Sequence, residues 1–305
     1  RQRMTNKGSS APVRRSIAVA LVLLAALGFS FHTTLSRASY AYGPDPATIL
    51  FLRSLLAVVV IWVLLRARGV DPWLKGRTLV QGLILGLVLS GQAFAMLTAL
   101  YYIPASLMIL IFYLFPLIVA GYMHIAGLHR VTGITVVSLL VAFAGVALAL
   151  SVSPSGLDWR GVVLALAATI MVVVNIVGSA AIIRKSDSLV ITFVMSVSML
   201  AVFSVYNLAR GTLFLPSDAA GWWPLAGCLI AYLFAAVCFY SAIGKAGPQR
   251  VAMVMNVEPI ITIGLAALIL NERLTPVQFV GATLVIAAIF ASRYAELRHA
   301  RRSEP

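Results

Sequence analysis

Pro116-Leu117-Ile118-Val119-Ala120-Gly121 returns as Pro259-Ile260-Ile261-Thr262-Ile263-Gly264, its proline, second isoleucine position and glycine matched at a constant offset of 143. The same offset pairs Leu21 with Leu164, Leu23 with Leu166, Ala25 with Ala168, Ala93 with Ala236, Arg130 with Arg273 and Thr132 with Thr275. Matches of Leu, Ile and Ala are cheap in an apolar chain. Proline, glycine and arginine repeating at one offset are not, so the chain reads as two copies of one unit.

The unit is built for lipid. Of 305 residues, 61% are apolar and 10% charged, and the mean hydropathy is +1.00. A soluble domain carries about 25% charged residues. Crossing about 30 Å of hydrocarbon takes roughly 20 apolar residues in a helix. Ten such runs are present, at 16–36, 47–66, 78–101, 105–124, 131–151, 159–182, 188–209, 222–244, 250–271 and 275–294. They are continuously apolar rather than alternating, which argues against a β-barrel. Breaks fall at Gly43-Pro44-Asp45-Pro46, Asp71-Pro72, Ile103-Pro104, Ser153-Pro154-Ser155-Gly156, Pro216-Ser217-Asp218 and Gly247-Pro248.

The expected fold class is therefore an all-α membrane protein of ten transmembrane helices arranged as two inverted five-helix repeats. Residues 1–15 form an N-terminal tail, 16–151 the first repeat, 152–158 a linker, 159–294 the second repeat and 295–305 a C-terminal tail. Arg1-Gln2-Arg3 stand ahead of Met4 and read as an addition to the natural chain. The first apolar run is too long for a signal-peptide core and reads as a span. Five spans per copy is an odd number, so the second copy enters the membrane upside down. Inverted repeats of this kind are the architecture of many secondary transporters.

The net charge of +14 follows topology rather than nucleic-acid binding. With the N-terminus inside, inward segments hold 18 Lys and Arg and outward segments four, Arg37, Arg160, Arg210 and Arg273, with Arg53 inside a span. Positive residues favour the cytoplasmic side, so both termini are expected there. Cys228 and Cys238 are ten residues apart on one helix, about 15 Å by the helical rise, too far for a disulfide. His124, His129 and His299 show no ligand spacing, and neither a metal nor a cofactor is expected. There is no His-Glu-x-x-His or Gly-x-Ser-x-Gly for an intramembrane enzyme, no Walker A motif for ATP-driven transport and no filter-like loop for a passive channel.

Glu258 is the carboxylate placed deep within a span. A charge at a helix centre costs about 2.5–3.5 kcal/mol, so it needs a polar cavity or a partner. Proton coupling, capture of a substrate ammonium and hydrogen-bond acceptance within a broken helix are all open to it. Pro116 and Pro259 are expected to kink the fourth and ninth spans at equivalent places. For Arg53, snorkelling to the outer interface is the plainer account and capture of a substrate carboxylate the sharper one. His32 and Asn175 are repeat-equivalent and can line a central cavity or bond between helices. Gln92, Met96, Tyr113, Tyr232, Tyr240 and Asn256 complete the mid-span polar and aromatic set. The expected cavity lies between the first, third, fourth, sixth, eighth and ninth spans. Gln92, Asn175 and Asn256 would serve the charged ends of a solute, and Met96, Tyr113, Tyr232 and Tyr240 its apolar side. Gly82, Gly86 and Ser90 form a small-residue stripe, expected to allow close helix packing.

Three segments carry a family resemblance. Leu50-Phe51-Leu52-Arg53-Ser54-Leu55-Leu56-Ala57 resembles the second helix of the EamA-type drug/metabolite transporter superfamily. Ala99-Leu100-Tyr101-Tyr102-Ile103-Pro104-Ala105-Ser106 resembles its link between third and fourth helices. Glu258-Pro259 with Leu270-Asn271-Glu272-Arg273-Leu274 resembles its ninth-helix Glu-Pro and following Glu-Arg-Leu, whereas His129-Arg130 departs from the pattern in the first copy. Within the superfamily the chain looks most like YddG-type exporters of aromatic amino acids and related metabolites. The resemblance implies export of amino acids, aromatic or other neutral, or of related small metabolites across the bacterial inner membrane by alternating access. A drug exporter, a passive channel and an intramembrane enzyme are the alternatives. The expected partners are a small-molecule substrate and the lipid bilayer, with no nucleic acid and with the oligomeric state open.

Overall fold

A computed structural model describes residues 10–99, 102–103, 105–128, 133–150, 158–269 and 275–302. Tyr101, Pro104, His129-Arg130, residues 152–157 of the expected linker and Leu270-Asn271-Glu272-Arg273-Leu274 lie outside the described residues. Every regular element among those described is helical: α1 (Ser10–Tyr40), α2 (Pro46–Ala67), α3 (Arg77–Ala99), α4 (Ala105–Phe112), α5 (Phe115–Ile125), α6 (Gly133–Ala149), α7 (Trp159–Ile183), α8 (Ser188–Arg210), α9 (Trp222–Ala246), α10 (Pro248–Val254), α11 (Glu258–Ile269) and α12 (Pro276–Arg302). The last helix runs on to Arg302 and the first begins at Ser10, so both enter stretches read as tails.

Local chemistry sets the starts of these helices. Asp45, Asp158 and Asp187 each cap a helix by accepting a backbone N–H, from Thr48, Arg160 and Leu189 respectively. Such caps satisfy donors that the first turn leaves without partners. Between α9 and α10, Gly247 takes φ +81° and Pro248 opens the next helix, a turn that a residue with a Cβ adopts only under strain.

Seven helices among the described residues are long and apolar enough to cross a membrane, the α4–α5 segment Leu107–Ile125 counting as one. α6 and the first part of α12 are apolar but shorter. The tryptophans at the helix ends, Trp62, Trp73, Trp159, Trp222 and Trp223, remain exposed, as residues of an interfacial belt do.

The packing follows the repeat. α1 lies along α9 and α7 along α3, two pairings that the 143-residue offset exchanges. α2 pairs with α8 and α6 with α12, each element with its own repeat mate. Neither copy is thus a separate bundle: each leans mainly on helices of the other. The main hydrophobic core, including Val22, Ile61, Ile176, Ile191 and Ile243, draws on both copies.

The two prolines act differently from a kink in a continuous helix. The first copy breaks at Tyr113-Leu114, and α5 then starts at Phe115 with Pro116 second. The second breaks through a 3-10 turn at Met255–Val257, and α11 starts at Glu258 with Pro259 second. Phe115 and Glu258 differ by the repeat offset, so the two restarts are in register. A missing N–H costs nothing in a first turn, where proline is favoured. Each proline therefore sits at the start of a new helix, and the break lies just ahead of it.

Candidate functional site

At the two breaks, α5 meets α10, and the Tyr113 hydroxyl hydrogen-bonds the Glu258 carboxyl. The Glu258 carbonyl accepts from Ser30 Oγ of α1 at 3.0 Å and from Thr262 Oγ1 at 2.9 Å. Asn256, the repeat mate of Tyr113, is buried and donates to the Met253 carbonyl at 3.0 Å. The first break thus supplies a hydroxyl, and the second supplies the carboxyl that takes it. Phe115 stands where the first copy would hold an equivalent of Glu258, so this centre carries one carboxyl.

A second cluster lies towards the connection at residues 41–45. His32 Nδ1 is 3.0 Å from the Cys228 carbonyl, and His32 Nε2 is 3.2 Å from Arg53 Nη1. A carbonyl only accepts and a guanidinium only donates. These partners therefore fix the neutral tautomer with its proton on Nδ1. The Arg53 guanidinium carbon lies 4.0 Å from the centre of the Tyr232 ring, a cation–π stack. Phe29 and His32 pack on the same ring at 6.0 and 5.2 Å. Arg53 is 9% exposed. It does not snorkel to the interface: it points inward between α1 and α9, where the ring and the imidazole receive it.

The third cluster is the repeat mate of the second. Asn175 Nδ2 donates to the Leu85 carbonyl at 3.2 Å, and Asn175 Oδ1 accepts from the Tyr240 hydroxyl at 2.7 Å. His32 and Asn175 are equivalent, and so are Cys228 and Leu85. One interhelical hydrogen bond, side chain to backbone carbonyl, therefore occurs twice. The remaining polar atom of each residue then goes to a different partner, Arg53 in one copy and Tyr240 in the other.

A repeat expressed in both sequence and hydrogen bonding has a counterpart among known proteins. The EamA-like transporter family matches residues 16–151 and again residues 159–294. The chain belongs to the EamA-like transporter family. It is a multi-pass membrane protein of a family that moves small molecules, a transporter family rather than an enzymatic one. A protein of known crystal structure is similar over 95% of this chain and 99% of its own, with a TM-score of 0.77 and 19% sequence identity; at that identity the likeness is one of fold. No curated protein matches.

In this EamA-like chain the expected site residues fall into separate groups. Tyr113 joins Glu258, His32 joins Tyr232, and Asn175 joins Tyr240. Gln92 Nε2 is 3.5 Å from Met96 Sδ on the same helix, and Gln92 Oε1 is buried without a partner. Asn256 serves its own turn. A cavity of about 400 Å³ lies at the end of α2 and α8, lined by Phe51, Ser204, Asn207 and Leu213 among others, and none of the expected site residues lines it. Ser30 and Phe29 take part in the clusters without having been site candidates, and Arg53, for which capture of a substrate carboxylate was the sharper of two expectations, takes part as well. The one signal available for Arg53 was its being a charge within a span.

Proposed function

We propose that the protein is a secondary transporter that exports amino acids, aromatic or other neutral, or related small metabolites across the bacterial inner membrane by alternating access, as the YddG-type exporters it resembles do. The reading takes ten spans: the seven long helices, the shorter α6 and α12, and the broken α10–α11. The five-helix copies are inverted relative to each other, and both termini lie in the cytoplasm. The observation that carries it is the pair of in-register helix breaks joined through Tyr113 and Glu258. Two repeats that lean on each other and share a polar joint can rock about it and open to either side in turn.

In this mechanism Glu258 is the coupling group and Tyr113 its hydrogen-bonding gate. Gln92, with its free acceptor, and the ring of Tyr232 face the solute. Asn175, Tyr240 and Asn256 hold helices in place. The test is isotope counterflow with purified protein in liposomes across a set of amino acids, with and without a pH gradient. Wild type exchanges neutral amino acids and accelerates under the gradient. Glu258→Gln keeps counterflow and loses the response to the gradient. Glu258→Gln with an unchanged gradient response removes Glu258 from coupling, and an absence of counterflow for every amino acid tried overturns the substrate class.

A further inference from the structure

Arg53 is a cation held away from water without an anion. Among the described residues no carboxylate comes within ion-pair distance of it, whereas Arg210 pairs with Asp45 and Lys75 with Asp71. Its charge is met instead by the π face of Tyr232 and a lone pair of His32. A buried charge is costly unless paired and hydrogen-bonded. A ring and a neutral imidazole are weaker partners than a carboxylate.

The geometry also shows which part of the guanidinium is spoken for. Tyr232 covers its face, and His32 takes Nη1. Arg53 Nε is buried and has no partner. The uncommitted edge of the group is thus the one bearing Nε, with which an arginine grips a carboxylate in a two-pronged fork. The surroundings suit a carboxylate attached to something apolar: Phe29 and Phe239 meet edge to face at 5.9 Å, and Phe29 also packs on Tyr232. Next to Phe29 on α1, Ser30 bonds the Glu258 carbonyl, so this cluster of rings adjoins the helix break.

We infer that Arg53, braced by His32 and stacked on Tyr232, is the subsite for the carboxylate of an apolar or aromatic solute. It rests on the transporter reading, for which it names the recognised group: solutes are selected for an acid end, taken by the Nε edge, and the aromatic side chains of α1 and α9 cover the apolar remainder. His32 is a positioning residue, since it touches the guanidinium and not the solute.

The probes are hydrocinnamate and its neutral amide, hydrocinnamide, which differ in charge at one end and little in shape. Binding is read as a shift of thermal unfolding of purified wild-type protein, in parallel with amino-acid counterflow. Wild type is expected to prefer the acid by about tenfold or more, the scale of a hydrogen bond to a charged group. Arg53→Gln loses that preference. Arg53→Lys, which keeps the charge and loses the fork, retains part of it and serves if Arg53→Gln does not fold. Equal binding of acid and amide by wild type overturns the subsite, as does an undiminished preference in a folded Arg53→Gln or Arg53→Lys. Acid preference without amino-acid counterflow would retain the subsite and discard the proposed substrates; counterflow without acid preference would do the reverse.

Discussion

The two flanks of the molecule are built on one plan and packed differently. On one, α3 lays Gly82, Gly86 and Ser90 towards α8. A Cβ on Gly86 would stand 2.5 Å from Ser198 Cβ and 2.6 Å from the Met195 carbonyl oxygen, and one on Gly82 3.0 Å from Val194 Cγ1. Ser198 Oγ donates to the Leu83 carbonyl at 2.9 Å across this joint. On the other flank, the repeat-equivalent positions of α9 are Leu225, Leu229 and Leu233. Leu225 is buried against Ile49 of α2, with Leu229 and Leu52 packed beside it. α2 and α9 meet over a shorter stretch than α3 and α8 do. Small residues let backbones touch, whereas leucines hold helix axes apart. The flank that leucine keeps apart is the one in which Arg53 and Tyr232 sit. The repeat provides the scaffold, and a change of side-chain size at three equivalent positions accompanies a tight joint on one side and a polar seat on the other.

The largest effect should come from closing that difference. Gly86→Leu drives a side chain into the α8 backbone, and overpacking of this kind costs about 1–3 kcal/mol or more. We expect little monodisperse protein by fluorescence-detected size exclusion, and a large drop in unfolding temperature for what remains. Leu229→Ala, at the half-buried mate, removes contacts without a clash and should cost less than the ~2–5 kcal/mol of a full core truncation. Equal tolerance of the two changes would mean that close approach is not what separates the flanks.

Much of this scaffold was legible in the sequence, for physical reasons. Apolar runs of membrane length and a constant offset need no tertiary information, and the small-residue stripe at Gly82, Gly86 and Ser90 announced its own packing. The prolines marked the breaks but not their form, since a proline inside a helix and a proline opening one look alike in sequence. The equivalence of His32 and Asn175 was visible, while their bonds to Cys228 and Leu85 were not. Those depend on how α1 seats on α9, where a Cβ on Gly28 would lie 2.9 Å from Ala235 Cβ. For Arg53 the sequence left snorkelling and an inward role both open, because the two differ only in a rotamer, which the neighbouring helix decides.

An intermediate effect should come from the two equivalent hydrogen bonds. Interhelical bonds in membranes average about 0.6 kcal/mol and reach about 1.7. Asn175→Leu removes the bonds to Leu85 and Tyr240 together and leaves the Tyr240 hydroxyl buried without its acceptor, so it should lower the unfolding temperature. Tyr240→Phe in that background should recover part of the loss, since it removes the orphaned hydroxyl. His32→Leu releases Arg53 and should appear chiefly as a weaker preference for hydrocinnamate over its amide. If both leucine variants lowered stability alike and left that preference untouched, the two corners would be equivalent in role as well as in position.

The smallest effect concerns the membrane face nearest Arg53. There Arg210 donates to Asp45 at 2.6 Å, Ser217 N–H to the Tyr42 carbonyl at 2.9 Å and Phe214 N–H to Thr48 Oγ1 at 3.1 Å. These bonds tie the end of α8 to the start of α2. The equivalents of Asp45 and Arg210 are Ser188 and Ala67, and Ser188 Oγ lies 3.3 Å from Ser241 Oγ. The ionic tie therefore exists on one side only. Partial burial works against ionisation of Asp45, but hydrogen bonds from Thr48 and the Arg210 charge outweigh it and hold the carboxyl below its ordinary value. A depressed carboxyl stabilises the fold above the unfolded-state value, about pH 3.9, and that contribution is lost as pH falls through the depressed folded-state value. The Arg210 and Asp45 side chains are 36% and 24% exposed, so the pair belongs with solvent-screened ion pairs, worth about 0.2–1 kcal/mol. Asp45→Asn should lower the unfolding temperature slightly at neutral pH, and the gap from wild type should close as pH is taken below 4. High salt should narrow the same gap. Asparagine caps about as well as aspartate, so a gap that persisted at low pH would mean that the charge of the tie is not what stabilises this face.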